Sequence, residues 1–198
     1  MSVLLITSVL TLGSAFADDR LVGVNSKSKP TTVDFRGESY QLAYVAESPN
    51  PQDGRVINEY LPNGESLDNW TRLIAVFAYP NLNDGRNLAG QMISALKASN
   101  PLARYQIHES EDGQRIMLDF ITWDTEKSIT EFNIFIYQKS PDGRGSIANQ
   151  FALRAYGREQ GLKFMEALRD TRQQSLESIT DFQFPKLTRD TKLVAETH

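Results

Sequence analysis

Cysteine and histidine, which often act as nucleophile and general base, are few in this chain. Its 198 residues include no cysteine and two histidines, His108 and His198. A thiolate nucleophile needs a cysteine, and a histidine-based zinc site needs more ligands than two histidines supply. His108 lies near the end of a short β-prone run, where we expect a solvent-exposed histidine at a sheet edge. The sequence therefore predicts no catalytic residue, no metal and no cofactor.

Carboxylates are more numerous, and their spacing is typical of turns. Acidic residues cluster at Asp18-Asp19, Glu111-Asp112 and Asp124-Thr125-Glu126. None of these clusters has the spacing of an EF-hand calcium loop. The chain has neither a glycine-rich phosphate loop nor a GxSxG nucleophile elbow. Carboxylates from separate strands could still pair for hydrolysis, an alternative that sequence alone leaves open.

Three alternating sets of aromatic and polar side chains form a candidate binding surface. The sets are Asp119, Ile121 and Trp123; Asn133, Phe135 and Tyr137; and Gln150, Arg154 and Tyr156. If the sets share one sheet face, that face has the mixed character that protein interfaces favour. In the alternative arrangement this face lies under the last helix, with Asp119 paired to Arg154 and the aromatic rings in the core.

The polar loop at residues 62–70 is the second candidate for binding a partner. Asn63, Glu65 and Asp68 lie in it, and Trp70 ends it. Trp70 is expected to pack in the core beside the next strand, and in the alternative it is an exposed anchor for a partner. The candidate partner-binding residues are Asn63, Glu65, Asp68, Trp70, Asp119, Trp123, Tyr137, Arg154 and Tyr156.

The elements that must position these residues are organised around residues 59–79, which end in an apolar strand at 73–79. Both alternating sets of this stretch are apolar: Leu73, Ala75, Phe77 and Tyr79 on one side, and Ile74, Val76 and Ala78 on the other. A strand that is apolar on two sides is typical of the centre of a sheet. We therefore expect a central strand that is buried on both faces.

Further β-prone runs and two helical patterns surround this strand. Strands are predicted at 32–36, 40–45, 55–61, 104–109, 114–123, 129–138 and 147–156, and helices at 84–99 and 158–180. Asp84 is the expected N-cap of the first helix. Leu162, Met165, Leu168, Leu176 and Ile179 form the expected apolar stripe of the second. The order predicts an α+β domain with a single antiparallel sheet of about six to eight strands and two helices packed on its faces.

This order of elements, with a strand, a polar loop, Trp70 and the central strand, resembles the Mog1/PsbP-type α/β/α sandwich. The resemblance covers roughly residues 32–182. That fold occurs in photosystem accessory subunits, GTPase-binding proteins and exported bacterial proteins. The resemblance therefore implies a binding role more than a particular chemistry.

The N-terminal residues favour export. Residues 3–12 are apolar, and Ala15-Phe16-Ala17 follows as a small-x-small cleavage pattern, so residues 1–17 are expected to be a signal peptide. A flexible leader at 18–31, a single domain at 32–184 and a frayed tail at 185–198 complete the predicted organisation. An exported chain without cysteine suits the periplasm or a secreted state, with no membrane anchor after cleavage.

Charge and composition limit the expected partners. The formal net charge is −4, and the basic residues are not clustered along the chain, so we do not expect nucleic acid to bind. The leading expectation is an exported, soluble protein-binding domain without catalysis, acting as an envelope accessory factor or as an inhibitor or immunity-type partner. The alternatives are a carboxylate-dependent periplasmic hydrolase and a carrier of a small apolar ligand.

Overall fold

The computed structural model describes residues 32–48, 54–101, 103–126 and 128–189. The predicted signal peptide, the leader at 18–31 and the part of the tail beyond residue 189 lie outside these residues. Within them the chain forms β1 (Thr32–Phe35), β2 (Glu38–Glu47), β3 (Val56–Pro62), β4 (Arg72–Tyr79), α1 (Gly85–Ser99), β5 (Arg104–Glu109), β6 (Arg115–Asp124), β7 (Ile129–Lys139), β8 (Ser146–Tyr156) and α2 (Arg158–Thr180).

The strands form one eight-stranded sheet in the order β1-β2-β3-β4-β8-β7-β6-β5. Every neighbouring pair is antiparallel. This confirms the predicted α+β fold with a single antiparallel sheet and two helices. Each half of the sheet is a meander, and the halves join where β4 pairs with β8.

The strand β4 is central, because β3 and β8 flank it and its two faces enter different hydrophobic clusters. One face of the sheet, here called the α1 face, carries Phe77 and packs with Leu88 and Met92 of α1. The opposite face, called the α2 face, carries Ile74 and packs with Leu168 of α2. Since side chains alternate along a strand, apolar residues at successive positions supply both cores.

The helix α1 begins where its sequence predicts. The side chain of Asp84 accepts a hydrogen bond from the backbone N–H of Arg86 at 2.8 Å and caps the first turn. At the other end, the N–H of Asn100 donates to the carbonyl of Leu96 at 2.8 Å before Pro101. The buried residues are Leu88, Ala89, Met92 and Leu96, which recur at helical spacing.

The helix α2 packs on a different stripe from the predicted one at its N-terminal end. Leu168, Leu176 and Ile179 are buried, but Leu162 is 58% exposed and Met165 is 40% exposed. The helix approaches the sheet closely at Gly161, where an added Cβ would lie 2.5 Å from Oγ1 of Thr130.

This close contact fixes the rotation of the helix about its axis. Because successive residues lie about 100° apart around a helix, contact through Gly161 turns Leu162 away from the sheet. The prediction that Leu162 and Met165 are core residues is wrong.

A segment without regular secondary structure, residues 182–189, follows α2 and is here called the C-terminal strap. The amide of the buried Asn58 donates to the carbonyl of Thr188 at 2.8 Å and accepts from its N–H at 2.6 Å. Arg189 also pairs with Glu47 at 3.0 Å. The predicted fraying after Phe184 does not hold for residues 185–189, because a buried Asn needs polar partners and this backbone supplies them.

Candidate ligand-binding site

A cavity of about 1140 Å³ lies on the α2 face, beside the C-terminal strap. Its apolar lining includes Val76, Ala78, Ile136, Ile147, Phe182 and Phe184. Ligand pockets usually enclose roughly 300 to 1,000 Å³, so this space is large enough for a small molecule. We call it the strap cavity.

The strap cavity exists because α2 stops before it covers the whole sheet face. The helix ends at Thr180, whose carbonyl oxygen accepts a hydrogen bond from Nη2 of Arg115 at 2.9 Å. Beyond this point the chain continues as an irregular strap, and its Phe182 ring packs on Phe35 with the centroids 4.5 Å apart. An irregular segment fills less of the space above a sheet than a helix does, so the last part of this face borders a cavity.

The loop at residues 140–145 forms a second wall of the strap cavity. Gly145 has a φ of +70°, and a Cβ there would lie 2.1 Å from the carbonyl oxygen of Tyr79. Its N–H donates to Oδ1 of Asn83 at 3.0 Å. Only glycine allows this approach, so Gly145 fixes the loop against the end of β4.

Within the same loop, Asp142 holds the turn together. Its carboxylate accepts hydrogen bonds from the Ser140 hydroxyl at 2.7 Å and from the backbone N–H of Arg144 at 3.0 Å. These two hydrogen bonds, that of Ser140 first, hold the pKa of Asp142 below its usual value. The loop therefore carries a carboxylate that stays ionised under ordinary conditions.

The lining of the strap cavity is rich in cations. The charged side chains of the lining are Arg115, Arg144, Lys186, Arg189 and Asp142. Four cations face one carboxylate in a chain whose formal net charge is −4. The cavity is thus locally positive on an acidic protein, which favours an anionic ligand.

Asn149 supplies a polar group to the cavity wall. It is 4% exposed, and its Oδ1 accepts no hydrogen bond from the described residues. A buried acceptor without a donor costs about 1–3 kcal/mol, so a hydrogen bond from a ligand would stabilise this group. Sequence analysis did not identify Asn149, because an isolated Asn in a strand carries no pattern.

A second cluster of charged groups lies on the α1 face. Arg154 donates to Oε2 of Glu131 through Nε at 2.9 Å and Nη2 at 2.7 Å. Its guanidinium carbon stands 3.6 Å from the centroid of the Trp70 ring. Burial raises the pKa of the nearby Glu59 to about 7, Arg154 lowers it, and the charge of Glu131 raises it. Glu59 can therefore hold or release a proton near neutral pH.

Burial and hydrogen bonding favour a structural role for this cluster. Glu131 is 4% exposed and Arg154 9%. Asn133 donates to Glu131 at 2.9 Å, and Gln150 donates to Asn133 at 2.7 Å. Neither glutamate was among the predicted site residues, although a charged residue at position 59, inside the predicted strand at 55–61, indicates a buried polar site.

The register separates the three predicted sets of aromatic and polar side chains. Asn133 pairs with Ala152 and with Phe120, so its set shares the α1 face with the set that contains Arg154. Asp119 is one position away from Phe120 and therefore lies on the α2 face with Ile121 and Trp123. The three sets do not share one face.

The predicted pair between Asp119 and Arg154 is wrong for the same reason. Arg172 of α2 donates to both oxygens of Asp119, at 2.8 Å and 2.7 Å. Arg154 pairs with Glu131 instead. These two ion pairs occupy opposite faces of the sheet.

The nine predicted partner-binding residues do not form a continuous surface. Trp70, Asp119, Tyr137 and Arg154 are buried, which confirms the core position expected for Trp70. The Tyr156 hydroxyl donates to the carbonyl of Trp70 at 2.9 Å.

The other predicted residues are more accessible. Asn63 and Asp68 are exposed, and Trp123 is 38% exposed. Glu65 is partly buried and accepts hydrogen bonds from the backbone and the hydroxyl of Thr71, at 2.6 Å and 2.5 Å. Glu65 therefore fastens the loop at residues 62–70.

His108 lies at the sheet edge, as expected. It is exposed on the edge strand β5, with Nε2 3.6 Å from Oδ2 of Asp119. Among the described residues, no group of three or more histidine, aspartate or glutamate side chains could hold a metal ion. In the same part of the chain, neither helix has the length and apolar character needed to cross a membrane.

Comparison with known proteins gives one match. The model of one protein family matches residues 28–184, and the chain belongs to that family. No curated protein and no solved structure matches the chain. The resemblance to Mog1/PsbP-type sandwiches therefore stays a prediction.

Proposed function

We propose that this chain is an exported, non-catalytic binding domain that holds a small molecule in the strap cavity. The observation that carries the proposal is the cavity itself, which combines about 1140 Å³ of space with an apolar sheet face and several polar groups. Ligand sites typically combine an apolar lining with a few polar groups of this kind. This favours the ligand-carrier alternative over a broad protein interface built on the nine predicted residues.

The strap supports this proposal because polar bonds fasten its C-terminal end, while Phe182 packs against Phe35 at its start. Asn58 holds Thr188, and Arg189 pairs with Glu47. Such hydrogen bonds and ion pairs contribute modestly to the free energy of folding, so they can break without unfolding the sheet. Release of the strap would give a ligand a way into the cavity.

A cavity-filling substitution tests the proposal. Ala78→Phe places a ring in the strap cavity, and Ala98→Phe places the same ring on the exposed side of α1 as a control. We would screen the full chain and both variants by thermal shift against a panel of small amphiphiles and metabolites. Compounds should raise the Tm of the wild type and of Ala98→Phe but not of Ala78→Phe. A panel that leaves the wild-type Tm unchanged, or that shifts all three equally, would contradict the proposal.

Export is part of the same proposal and rests on the N-terminal sequence. The apolar run and Ala15-Phe16-Ala17 support cleavage after Ala17. Mass spectrometry of the protein recovered from the periplasm or the medium should then show a mature N-terminus at Asp18. An intact Met1 in that fraction would contradict this part of the proposal.

A protein partner is a second candidate function, which exposed apolar side chains at the N-terminal end of α2 favour. Leu162, Met165 and Trp123 are large apolar residues that are more than a third exposed. Trp123 pairs across the strands with Thr130, the residue against which Gly161 packs, so all three lie at the same end of the α2 face. Exposed aromatic and methionine side chains are typical of protein interfaces.

This second candidate has its own test. Met165→Glu introduces a charge at the exposed apolar site, and Gln91→Glu does so on the exposed side of α1. In a pull-down with the full chain, a stoichiometric protein partner should be lost with Met165→Glu and kept with Gln91→Glu. Equal recovery with both variants would place the interface elsewhere.

A further inference from the structure

We propose that the strap cavity binds an amphipathic anion, whose carboxylate or phosphate group lies near Lys186 and whose apolar body lies on the sheet. This inference rests on the proposed function and specifies the chemical class of the ligand. Three observations support it: the charges of the lining, the existing partners of each cation, and the apolar side chains on the sheet side of the cavity.

The charges of the lining determine the sign of the ligand. Four cations and one carboxylate line the cavity, whereas the chain as a whole carries 25 acidic and 21 basic residues. A concave surface of one sign concentrates ligands of the opposite sign. The cavity is therefore suited to an anion.

The four cations differ in the hydrogen-bond and ion-pair partners that they already have. Arg144 pairs with Asp142 at 3.2 Å, Arg189 pairs with Glu47 at 3.0 Å, and Arg115 donates to the carbonyl of Thr180. Lys186 has no hydrogen-bond or ion-pair partner among the described residues. Its ammonium group is thus the cation best able to bind an added anionic group.

The floor of the cavity determines the other half of the ligand. Val76 and Ile136 come from the sheet, and Phe182 and Phe184 come from the strap. Contact between these aliphatic and aromatic surfaces and an apolar ligand body is favourable, because it removes apolar area from water. A purely ionic ligand such as inorganic phosphate would leave this half of the cavity unused.

Asn149 adds an observation that is independent of charge. Its Oδ1 is buried in the cavity wall and unpaired among the described residues. An unpaired acceptor in a buried position is unfavourable, because its desolvation is not compensated. A ligand with a hydroxyl or amide donor on its body would satisfy it.

Isothermal titration of the full chain with matched eight-carbon probes tests this inference. Octanoate and octyl phosphate carry the anion, octanol is neutral, and octylammonium carries the opposite charge. We expect both anions to bind about tenfold more tightly than octanol, the usual effect of one charge-assisted contact. Octylammonium should bind most weakly.

A charge-removing variant locates the anionic group. Lys186→Gln should weaken the binding of octanoate and octyl phosphate about tenfold and change that of octanol less than about twofold. Lys163→Gln removes an exposed lysine of α2 and is the control that should bind like the wild type.

The outcomes separate the two proposals. If octanol and octylammonium bind as tightly as octanoate, the anion assignment is wrong while a ligand cavity remains. If Lys163→Gln and Lys186→Gln weaken octanoate equally, the anion does not lie near Lys186 and this inference fails. If none of the probes binds the folded wild type, both the inference and the proposed function are contradicted.

Discussion

At the scale of single residues, Glu59 is a carboxyl group whose protonation depends strongly on the fold. Burial raises its pKa to about 7, whereas a free glutamate titrates near 4.5. The folded state therefore binds a proton more tightly than the unfolded state. The stabilisation that this provides is fully present below about pH 4.5 and is lost as the pH rises through 7.

Removal of this carboxyl gives a pH-dependent prediction. The free energy of unfolding of the wild type should fall by on the order of 2 kcal/mol between pH 5 and pH 8, and Glu59→Gln should remove most of this fall. Glu126→Gln, at an exposed turn, should keep the wild-type dependence. Urea denaturation at several pH values measures all three. A flat profile for the wild type would show that Glu59 does not titrate in this range.

Gly145 gives a second prediction at the residue scale. Gly145→Ala places a Cβ 2.1 Å from the Tyr79 carbonyl at a φ of +70°, and we expect it to destabilise the protein by more than about 2 kcal/mol. Gly143→Ala is the matched control, because its φ is +77° but nothing lies within 4 Å of the added Cβ. It should cost only about 1–2 kcal/mol. Equal loss of stability in denaturant melts would show that close packing at Gly145 is unimportant.

Sequence patterns predicted residues of the core far better than partners of charged residues. Burial of Trp70 and Phe77 followed from apolar alternation next to a polar loop. The ion-pair partner of Arg154 could not be predicted in this way, because it depends on strand register. In particular, it depends on whether residue 119 or residue 120 of β6 lies opposite Asn133. A shift of one residue moves a side chain to the other face, and local sequence does not encode that register.

At the scale of elements, the C-terminal strap makes the clearest prediction. Asn58→Ala removes two hydrogen bonds to Thr188 and should cost about 1–3 kcal/mol, because the Thr188 groups lose their partner. It should also speed tryptic cleavage at Lys186, which lies in the strap. Asn63→Ala, which removes one exposed hydrogen bond from Gln41, should change stability by less than about 1 kcal/mol and leave cleavage unchanged. Cleavage at the wild-type rate in Asn58→Ala would mean that Asn58 does not hold the strap.

The helices show where element-level prediction succeeds and fails. The first residue and the buried face of α1 were predictable, because an N-cap residue is followed by apolar residues at regular helical spacing. In α2 the stripe was misplaced, since the helix contacts the sheet through the small residue Gly161 and not through Leu162. Glycine carries no hydrophobic signal, so a periodicity argument does not detect such a contact.

At the scale of the whole molecule, the sheet could be predicted and the cavity could not. The two four-stranded meanders follow from local turns and alternation. The strap cavity arises where an aperiodic segment crosses a sheet face from far along the chain, as in the contact between Asn58 and Thr188. Such long-range packing leaves no local pattern, and the predicted binding residues therefore lie outside the cavity.

The most direct test of ligand binding in the strap cavity is amide chemical-shift mapping of the folded protein during titration with octanoate. Binding should shift the amide signals of Val76, Ile136, Asn149 and Lys186, which all line the cavity. The signals around Trp123 and Met165, at the other end of α2, should stay unchanged. Shifts confined to that end or to the α1 face would contradict the central claim that the cavity beside the C-terminal strap is the binding site.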